Sequence, residues 1–595
     1  MRYQGPIIMR VAELIEEFRD IATIDLKQNE GSSKVLKLEE AVRKYIKPGM
    51  AVYVREGSYA GIREMIRQFW GTKPEFTLIM IGCRDYALDL LHCELVAKVL
   101  TSRCSESATQ GISPVAKRAY KQKSTEIENW SLYSLTLRLM AGAMGIEFMP
   151  TRSILHTTMA QENRESFVEM KDPFCSGNKL GLVKSLNPDI AIVHGWASDL
   201  NGNIILAPAI LSGEGEWGAF GSKQGVIATV EKIVSTEFIR EHSLLVNIPG
   251  YFVKSVSLAP FGAHPLGLAA ISEDFEEYEA DYEFMKSHGE ASREVETLDV
   301  WLKEWVMACP NHEDYLEKLG YQRLAFLRGK AGSFNWEHKL LSLPDEILTN
   351  AECSAEESMI VAASRLIKEK VLENDYQVIL SGIGTAGLSA WLAYYQLKKM
   401  EVDVDLMLGS SSFSWSPRPG NPEVTNLSNL RTCKMITDIL HTYGIFAWKQ
   451  CISVLGAAQI DKYGNLNTTK LSEDSYLTGS GGANDAVAAT RETMVVLSQS
   501  KRRFVDQLHY ITCSGKNVRT VVSDKGIFEK VHPSGELILT GYLVDPSCAD
   551  QEATVRAIIE NCGWKLKTHA NLKKMEPSDT KELALLRLFS SKPDS

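Results

Sequence analysis

The sequence predicts an α/β fold made of two similar, largely parallel-sheet domains that arose by internal duplication. Residues 51–82 have the pattern of a strand, an amphipathic helix and a second strand, and residues 377–411 repeat that order. In the repeat, QVILS is a strand, GIGTAG a glycine turn, LSAWLAYYQLKK a helix, and VDVDLMLGSSS a strand running into a turn. Segments such as IAIV and VDLML are apolar on both faces, which is typical of strands buried in a parallel sheet.

A second pair of matching segments supports the duplication. DIAIVHGWASDLNGNI at residues 189–204 and ISVLGAAQIDKYGNLN at residues 452–467 both run from an apolar strand into D-x-x-G-N. Asp at the entry of a turn and Gly-Asn after it suit a backbone with positive φ, so we expect a tight turn leaving each sheet. Because both pairs occur in the same order, duplication is favoured over coincidence.

The length of 595 residues exceeds what one hydrophobic core supports, so we expect two large domains. The boundary is placed near residue 345, in the linker-like stretch GKAGSFNWEHKLLSLPDE. The predicted division is an N-terminal extension at 1–33, a first domain at 34–345, a second at 346–575, and a polar tail at 576–595.

The composition, with 44% hydrophobic and 24% charged residues, is that of an ordinary globular protein. A net charge of −10 offers no attraction to phosphates or anionic lipid, so neither nucleic acid nor membrane is expected as a partner. The eleven cysteines show no CxxC pairs, which favours free thiols in a reducing compartment and no metal site. No signal peptide or membrane-spanning pattern is apparent, so a cytoplasmic location is expected.

The segment GIGTAG matches G-x-G-x-x-G between a strand and a helix, through Gly382, Gly384 and Gly387. In dinucleotide-binding folds an acidic residue ends the next strand and binds the ribose. Here Asp403 and Asp405 begin that strand instead. Two interpretations stay open: a glycine turn packed on an acyl or pantetheine group, or an NAD(P)-binding oxidoreductase.

The loop TGSGGAND, residues 478–485, precedes a predicted helix and contains three glycines. Such a loop can direct several backbone N–H groups at one oxyanion or phosphate. The candidate residues are Ser480, Gly481, Gly482 and Asn484. Lys501 and Arg502 follow in SKRRF and are candidate phosphate contacts, although clusters of this size are also common on solvated surfaces.

With these segments the chain resembles family I CoA-transferases, with the A and B subunits of the glutaconate type joined head to tail. The resemblance covers about residues 34–330 and 357–570. The first half carries KLEEAVRKYIKPGM, EFMPTRS, NPDIAIVHGWASDLNGN and SLAPFGAHP, and the second carries SGIGTAG, GAAQIDKYGNLNTT, TGSGGAND, SKRRFVDQLHYIT and SDKGIF. The resemblance implies a Glu nucleophile in the second half and an oxyanion held by the backbone amides of Gly481 and Gly482.

The sequence departs from the family pattern where the nucleophile belongs. Aligning LMLGSSSFSWSP on Ser416 and Pro417 puts Gly409 at that position, followed by the candidate catalytic residue Ser410. The first half also departs, with VREGSYAG in place of a glycine pair and Phe. Branches of the fold that lack this Glu include ring-opening hydrolases and a decarboxylase, and by similarity with them Glu128 is a candidate base.

The resemblance therefore implies an enzyme acting on acyl-CoA thioesters, with CoA as part of the substrate and no covalently bound cofactor. CoA transfer to a carboxylic acid is the first interpretation. Hydrolysis, carbon–carbon cleavage or decarboxylation on the same fold is an alternative, as are a non-catalytic CoA-binding paralogue and the oxidoreductase above. A homo-oligomer is an open option.

Overall fold

The molecule is described here by a computed structural model. The described residues are 11, 13–16, 29–106, 111–174, 177, 179–207, 213–270, 272–332, 341, 344–350, 352–409, 412–419, 427–532, 535–544, 548 and 550–590. Most of the predicted N-terminal extension and the Ser410 position lie outside these residues.

The first half is built on an eight-stranded sheet in which seven strands are parallel. Their order across the sheet is Val253–Leu258, Val226–Ile233, Ile190–Ser198, Ala51–Val54, Phe76–Ile79, Val96–Thr101 and Glu126–Asn129. The short strand Ile204–Leu206 pairs antiparallel with Ile190–Ser198. All nine residues of Ile190–Ser198 are buried, as expected for an apolar strand with neighbours on both faces.

The second half contains a ten-stranded sheet with a parallel centre. Its order is Met435–Ile436, Ser412–Phe413, Asp405–Leu408, Val378–Ser381, Cys451–Leu455, Glu492–Val496, Val518–Val522, Gly526–Lys530, Leu537–Tyr542 and Thr568–Lys574. The five strands from Asp405–Leu408 to Val518–Val522 are parallel. The mixed α/β class with largely parallel sheets is therefore confirmed.

Helices cover the sheets in both halves. In the first half they are Leu38–Tyr45, Tyr59–Phe69, Asp89–His92, Pro114–Gln122, Leu132–Met144, Thr158–Glu162, Trp217–Phe220, Thr236–Glu241, Tyr282–Ala291, Val295–Leu302, His312–Leu319 and Tyr321–Gly332. In the second they are Asp345–Thr349, Ala355–Asn374, Thr385–Lys399, Leu427–Leu430, Ile439–His441, Ala483–Ala489, Gln551–Glu560 and Thr580–Ser590. The long helix at 355–374 begins with a capping box between Ser354 and Glu357, which satisfies its first backbone N–H groups.

Small ribbons complete the structure. The first pairs Cys83–Arg84 with Cys104–Ser105, and the second has three strands, with Lys179–Lys184 between Phe148–Thr151 and Phe167–Lys171. The third pairs Gln459–Ile460 with Leu466–Asn467, and the fourth pairs Lys470–Ser472 with Ser475–Tyr476. The first two belong to the first half and the others to the second.

The two D-x-x-G-N turns are built alike. Asp199 accepts hydrogen bonds from the backbone N–H of Asn203 at 2.9 Å and from its side-chain amide at 2.8 Å. Asp461 accepts the same pair of bonds from Asn465, at 3.0 and 2.8 Å. This shared geometry agrees with the predicted turns and with an internally duplicated chain.

The predicted polar tail at 576–595 is wrong for most of its length. Residues Thr580–Ser590 form a helix whose Leu583, Leu586 and Phe589 are buried. Arg587 anchors this helix by donating to the Glu357 carboxylate at 2.7 Å. These apolar residues are spaced three apart and therefore form one buried face of the helix. The prediction of a polar tail relied on the polar residues of the segment and missed this spacing.

Buried apolar residues join the two halves into one body. One hydrophobic cluster contains Tyr53 and Ile79 of the first half together with Leu380 and Tyr443 of the second. A small cluster of Ala269, Ala331, Leu427 and Leu430 also joins the halves, and the remaining clusters lie within one half or nearly so. The cleft described below lies where the halves meet.

Candidate active site

A cleft of about 410 Å³ lies between the halves, a size suited to a small-molecule site. Three parallel neighbours, Val378–Ser381, Asp405–Leu408 and Cys451–Leu455, direct their carboxyl ends into it. In open α/β sheets, ligands bind at this edge of the strands. The facing wall comes from the first half and includes the charged residues Glu56, Arg84 and Arg103.

The predicted glycine-rich loop forms part of the cleft wall, but not with all the roles expected. The Gly481 N–H donates to the Ser102 carbonyl at 2.9 Å, and the Gly481 carbonyl accepts from the Leu132 N–H at 3.1 Å. This N–H is therefore already engaged, so the expectation that it donates to an oxyanion does not match the structure. Gly482 also lines the cleft and immediately precedes the helix Ala483–Ala489.

Ser480 lines the cleft, whereas Asn484 does not. The Asn484 side chain accepts from the Ile154 N–H at 2.7 Å and donates to the Thr512 carbonyl at 2.8 Å. Both polar atoms of this buried amide are used, so it joins the halves and does not face a CoA ligand as expected.

Next to it, Asp485 accepts from the Tyr133 N–H at 2.9 Å and the Ser153 hydroxyl at 2.6 Å. Burial raises the pKa of this carboxyl to about 6, although these hydrogen bonds act to lower it. The start of the helix is thus an attachment between the halves, which holds the glycine-rich loop in place.

Gly409 follows the strand Asp405–Leu408 and lines the cleft, where no side chain of its own projects. The Tyr443 hydroxyl fills the adjacent space: a Cβ atom added to Gly409 would overlap it, and so would one added to Gly482. A tyrosine hydroxyl from a distant segment therefore lies between the strand end and the glycine-rich loop.

The cleft carries a carboxylate, Glu56, that was not among the candidates predicted from the sequence. Among the described residues lining the cleft, it is the one that carries a carboxylate. Its Oε1 accepts from Arg84 Nε at 3.0 Å and also from Arg84 Nη2. Its Oε2 is buried and has no hydrogen-bond partner among the described residues. The signal was present in VREGSYAG, the first-half loop that departs from the family pattern.

A second carboxyl group, that of Glu214, is hydrogen-bonded to the backbone of Glu56. Glu214 Oε1 accepts from the Glu56 N–H at 2.7 Å, and Oε2 accepts from the Tyr53 hydroxyl at 3.0 Å. Burial raises the pKa of Glu214 to about 7, an effect that the nearby Arg55 guanidinium partly opposes. The Glu56 loop is therefore held by a group that titrates near neutral pH.

The structure places Glu128 outside the cleft, which corrects its selection as the base. It lies in the strand Glu126–Asn129 and lines a separate pocket. Lys98 contacts its carboxylate at 2.7 Å, Trp130 at 2.7 Å and Arg138 at 3.1 Å. Burial acts to raise the pKa of Glu128, but these donors outweigh burial and lower it, so this carboxylate is poorly suited to accept a proton.

The structure brings only some of the other predicted CoA-binding residues to the cleft. Gly382 lines the cleft and packs closely, since a Cβ there would meet the Val454 carbonyl at 2.6 Å. Gly384 has φ of 63° and caps the following helix without lining the cleft. Lys501 and Arg502 are exposed and lie outside the cleft wall, so the structure does not bring them to this site.

The described residues contain ten cysteines, all of them free thiols. In the same part of the chain, no three His, Cys, Asp or Glu side chains are grouped so that they could hold a metal ion. Nor is any described helix both long and apolar enough to cross a membrane.

Comparison with known proteins agrees with this geometry. The family model described as Coenzyme A transferase matches residues 35–259. The A subunit of glutaconate CoA-transferase from Acidaminococcus fermentans is 26% identical over 324 residues, covering 50% of this chain and 95% of the relative. The B subunit of 3-oxoadipate CoA-transferase from Pseudomonas knackmussii is 28% identical over 265 residues, covering 40% of this chain and 94% of the relative.

A solved structure extends the comparison to nearly the whole fold. The acyl-CoA transferase YdiF of Escherichia coli O157:H7, in a thioester complex with CoA, has a TM-score of 0.63 at 15% identity. The match covers 94% of this chain and 97% of that chain. The family model and these relatives identify this chain as an enzyme of the coenzyme A transferase family.

Proposed function

We propose that this enzyme binds an acyl-CoA in the cleft between its halves and acts on it without a glutamate nucleophile at position 409. The two halves would correspond to the A and B subunits of the glutaconate type, fused in one chain. Similarity to the A subunit of one relative and to the B subunit of another supports this arrangement.

One observation carries the proposal. At the end of the strand Asp405–Leu408 the cleft has Gly409 next to a tyrosine hydroxyl, and a carboxylate, Glu56, lies on the opposite wall. A glutamyl-CoA thioester at position 409 cannot form, because glycine supplies no carboxylate. The Glu56 Oε2 atom, buried without a partner among the described residues, is free to accept a proton.

The reaction that fits best is hydrolytic cleavage of the acyl-CoA, with Glu56 as the general base that activates water. The bond cleaved is the thioester or a carbon–carbon bond of the acyl group. Arg84 holds the other carboxylate oxygen through two nitrogens, which fixes the direction in which Oε2 points. A second candidate is CoA transfer with Glu56 as the nucleophile, since an unpartnered carboxylate oxygen can also attack a thioester.

The test compares Glu56→Gln with Glu128→Gln in a panel of acyl-CoAs, with and without acetate. Both residues are partly buried carboxylates paired with an arginine, but only Glu56 lines the cleft. We expect Glu56→Gln to lower turnover by about 10²–10⁴-fold, as loss of a general base does, with acyl-CoA binding retained. Glu128→Gln should keep turnover within a few-fold of wild type.

Mass spectrometry of the products separates the remaining possibilities. Hydrolysis or carbon–carbon cleavage gives the expected product masses without acetate, whereas transfer requires acetate and gives acetyl-CoA. Borohydride inactivation in the presence of acyl-CoA, mapped to Glu56, would select the transferase candidate. Unchanged turnover in Glu56→Gln would refute both roles of this residue, and binding of acyl-CoA without any turnover would indicate a non-catalytic paralogue.

A further inference from the structure

We propose that the Tyr443 hydroxyl donates a hydrogen bond to the thioester carbonyl oxygen of the bound acyl-CoA, which makes Tyr443 a catalytic residue. This inference rests on the proposed function and assigns the acyl group to one place in the cleft. The carbonyl oxygen would lie between the end of the strand Asp405–Leu408 and the glycine-rich loop 478–482. Glu56 would face the same acyl group from the opposite wall.

The first support is the space around the hydroxyl. Gly409 and Gly482 come from elements more than seventy residues apart in sequence, yet a Cβ atom on either would overlap the same Tyr443 oxygen. Both glycines and Tyr443 line the cleft. Two neighbouring positions without side chains therefore make room for one hydroxyl at the cleft surface.

The second support is that the hydroxyl is held in place but lacks a partner. The Tyr443 ring is buried in the hydrophobic cluster that both halves share. In the described part of the chain, its hydroxyl forms no hydrogen bond. A rigid, partly desolvated donor without a protein acceptor suits an oxyanion that appears only during reaction.

The proton needed for donation stays on this oxygen at neutral pH. Burial, together with the nearby Asp485 carboxylate, raises the pKa of Tyr443 well above its usual range. Of the two loop amides expected to hold the oxyanion, the Gly481 N–H already donates to the Ser102 carbonyl. Tyr443 would thus supply a hydrogen bond in place of the one expected from the Gly481 N–H.

The kinetic test is Tyr443→Phe, which keeps the ring and removes only the hydroxyl. Loss of one oxyanion donor lowers kcat by about 10²–10³-fold, and we expect that loss with a KM change below about three-fold. Tyr133→Phe is the matched control, since Tyr133 lies close by, beside Gly444, but does not line the cleft. It should retain wild-type kcat.

A measurement that needs no turnover separates this inference from the proposed function. Infrared spectra of [1-¹³C]butyryl-CoA bound to Glu56→Gln report hydrogen bonding to the carbonyl as a shift to lower wavenumber. We expect this shift in Glu56→Gln and its loss in Glu56→Gln/Tyr443→Phe.

The outcomes are distinct. An equal shift in both variants, or wild-type kcat in Tyr443→Phe, would overturn the role of Tyr443 while leaving an acyl-CoA enzyme in place. Failure of the wild-type enzyme to bind butyryl-CoA or any other acyl-CoA would overturn the proposed function, and the role of Tyr443 with it.

Discussion

The packing of Tyr443 against Gly409 can be tested by adding a single methyl group. Gly409→Ala places a Cβ atom where it overlaps the Tyr443 hydroxyl oxygen. Overpacking of this kind costs about 1–3 kcal/mol of folding free energy, because the ring sits in a shared core and has little room to retreat. The variant should also lose activity, since the hydroxyl is displaced from the cleft.

Removing the hydroxyl should relieve most of the clash. In Tyr443→Phe the nearest remaining ring atom, Cζ, lies 3.1 Å from the added Cβ, which is a tight contact that a small shift can accommodate. We therefore expect Gly409→Ala to lower the free energy of unfolding by less than about 1 kcal/mol in the Tyr443→Phe background. The coupling energy between the two positions would then be about 1–2 kcal/mol.

Thermal unfolding of the four proteins in this double-mutant cycle measures the coupling. A change of 1 kcal/mol moves Tm by roughly 2–4 °C in a cooperative unit of 150–250 residues, so a shift of about 5 °C is expected for Gly409→Ala. Gly456→Ala is the control, because Gly456 lines the same cleft and its added Cβ would meet only the Val496 carbonyl, at 3.8 Å. A neutral Gly409→Ala, or one equally destabilising in the Tyr443→Phe background, would refute this packing.

Two further predictions follow from the buried groups. Burial raises the pKa of Glu214 in the folded protein from 4.5 to about 7, so the folded state binds this proton more tightly than the unfolded state does. The resulting contribution to the free energy of unfolding is complete below pH 4.5 and is lost as the pH rises to about 7. Glu214→Gln should therefore gain stability relative to wild type over that interval, by at most about 3 kcal/mol, in denaturation midpoints measured from pH 4.5 to 8. If the chain is cut near residue 345, the two halves should reassociate when they are co-expressed. Each half should be poorly soluble alone, because separation exposes the hydrophobic cluster that they share. Halves that are soluble and do not associate in size-exclusion chromatography would contradict this.

The sequence by itself determined the class of fold and the repeated plan. Apolar strands, amphipathic helices and Gly-Asn turns are local patterns, so the segments 51–82 and 377–411 could be paired before any contact was known. The turns at Asp199 and Asp461 formed as their sequences indicated, because an Asx side chain satisfies backbone N–H groups only a few residues away. The short helix Thr580–Ser590 was missed, since its stability comes from burial against distant helices.

Only the tertiary structure decided which side chains share the cleft. Glu56 comes just after one strand of the first sheet, and Glu128 lies in another. Glu56 nevertheless faces the second half across the cleft, whereas Glu128 is held by Lys98 and Arg138 in a separate pocket. Tyr443 belongs to no motif, and its hydroxyl reaches the cleft because two distant glycines leave space for it. Local patterns specify strands and turns, but the approach of residues hundreds of positions apart depends on how two sheets pack, which no short segment encodes.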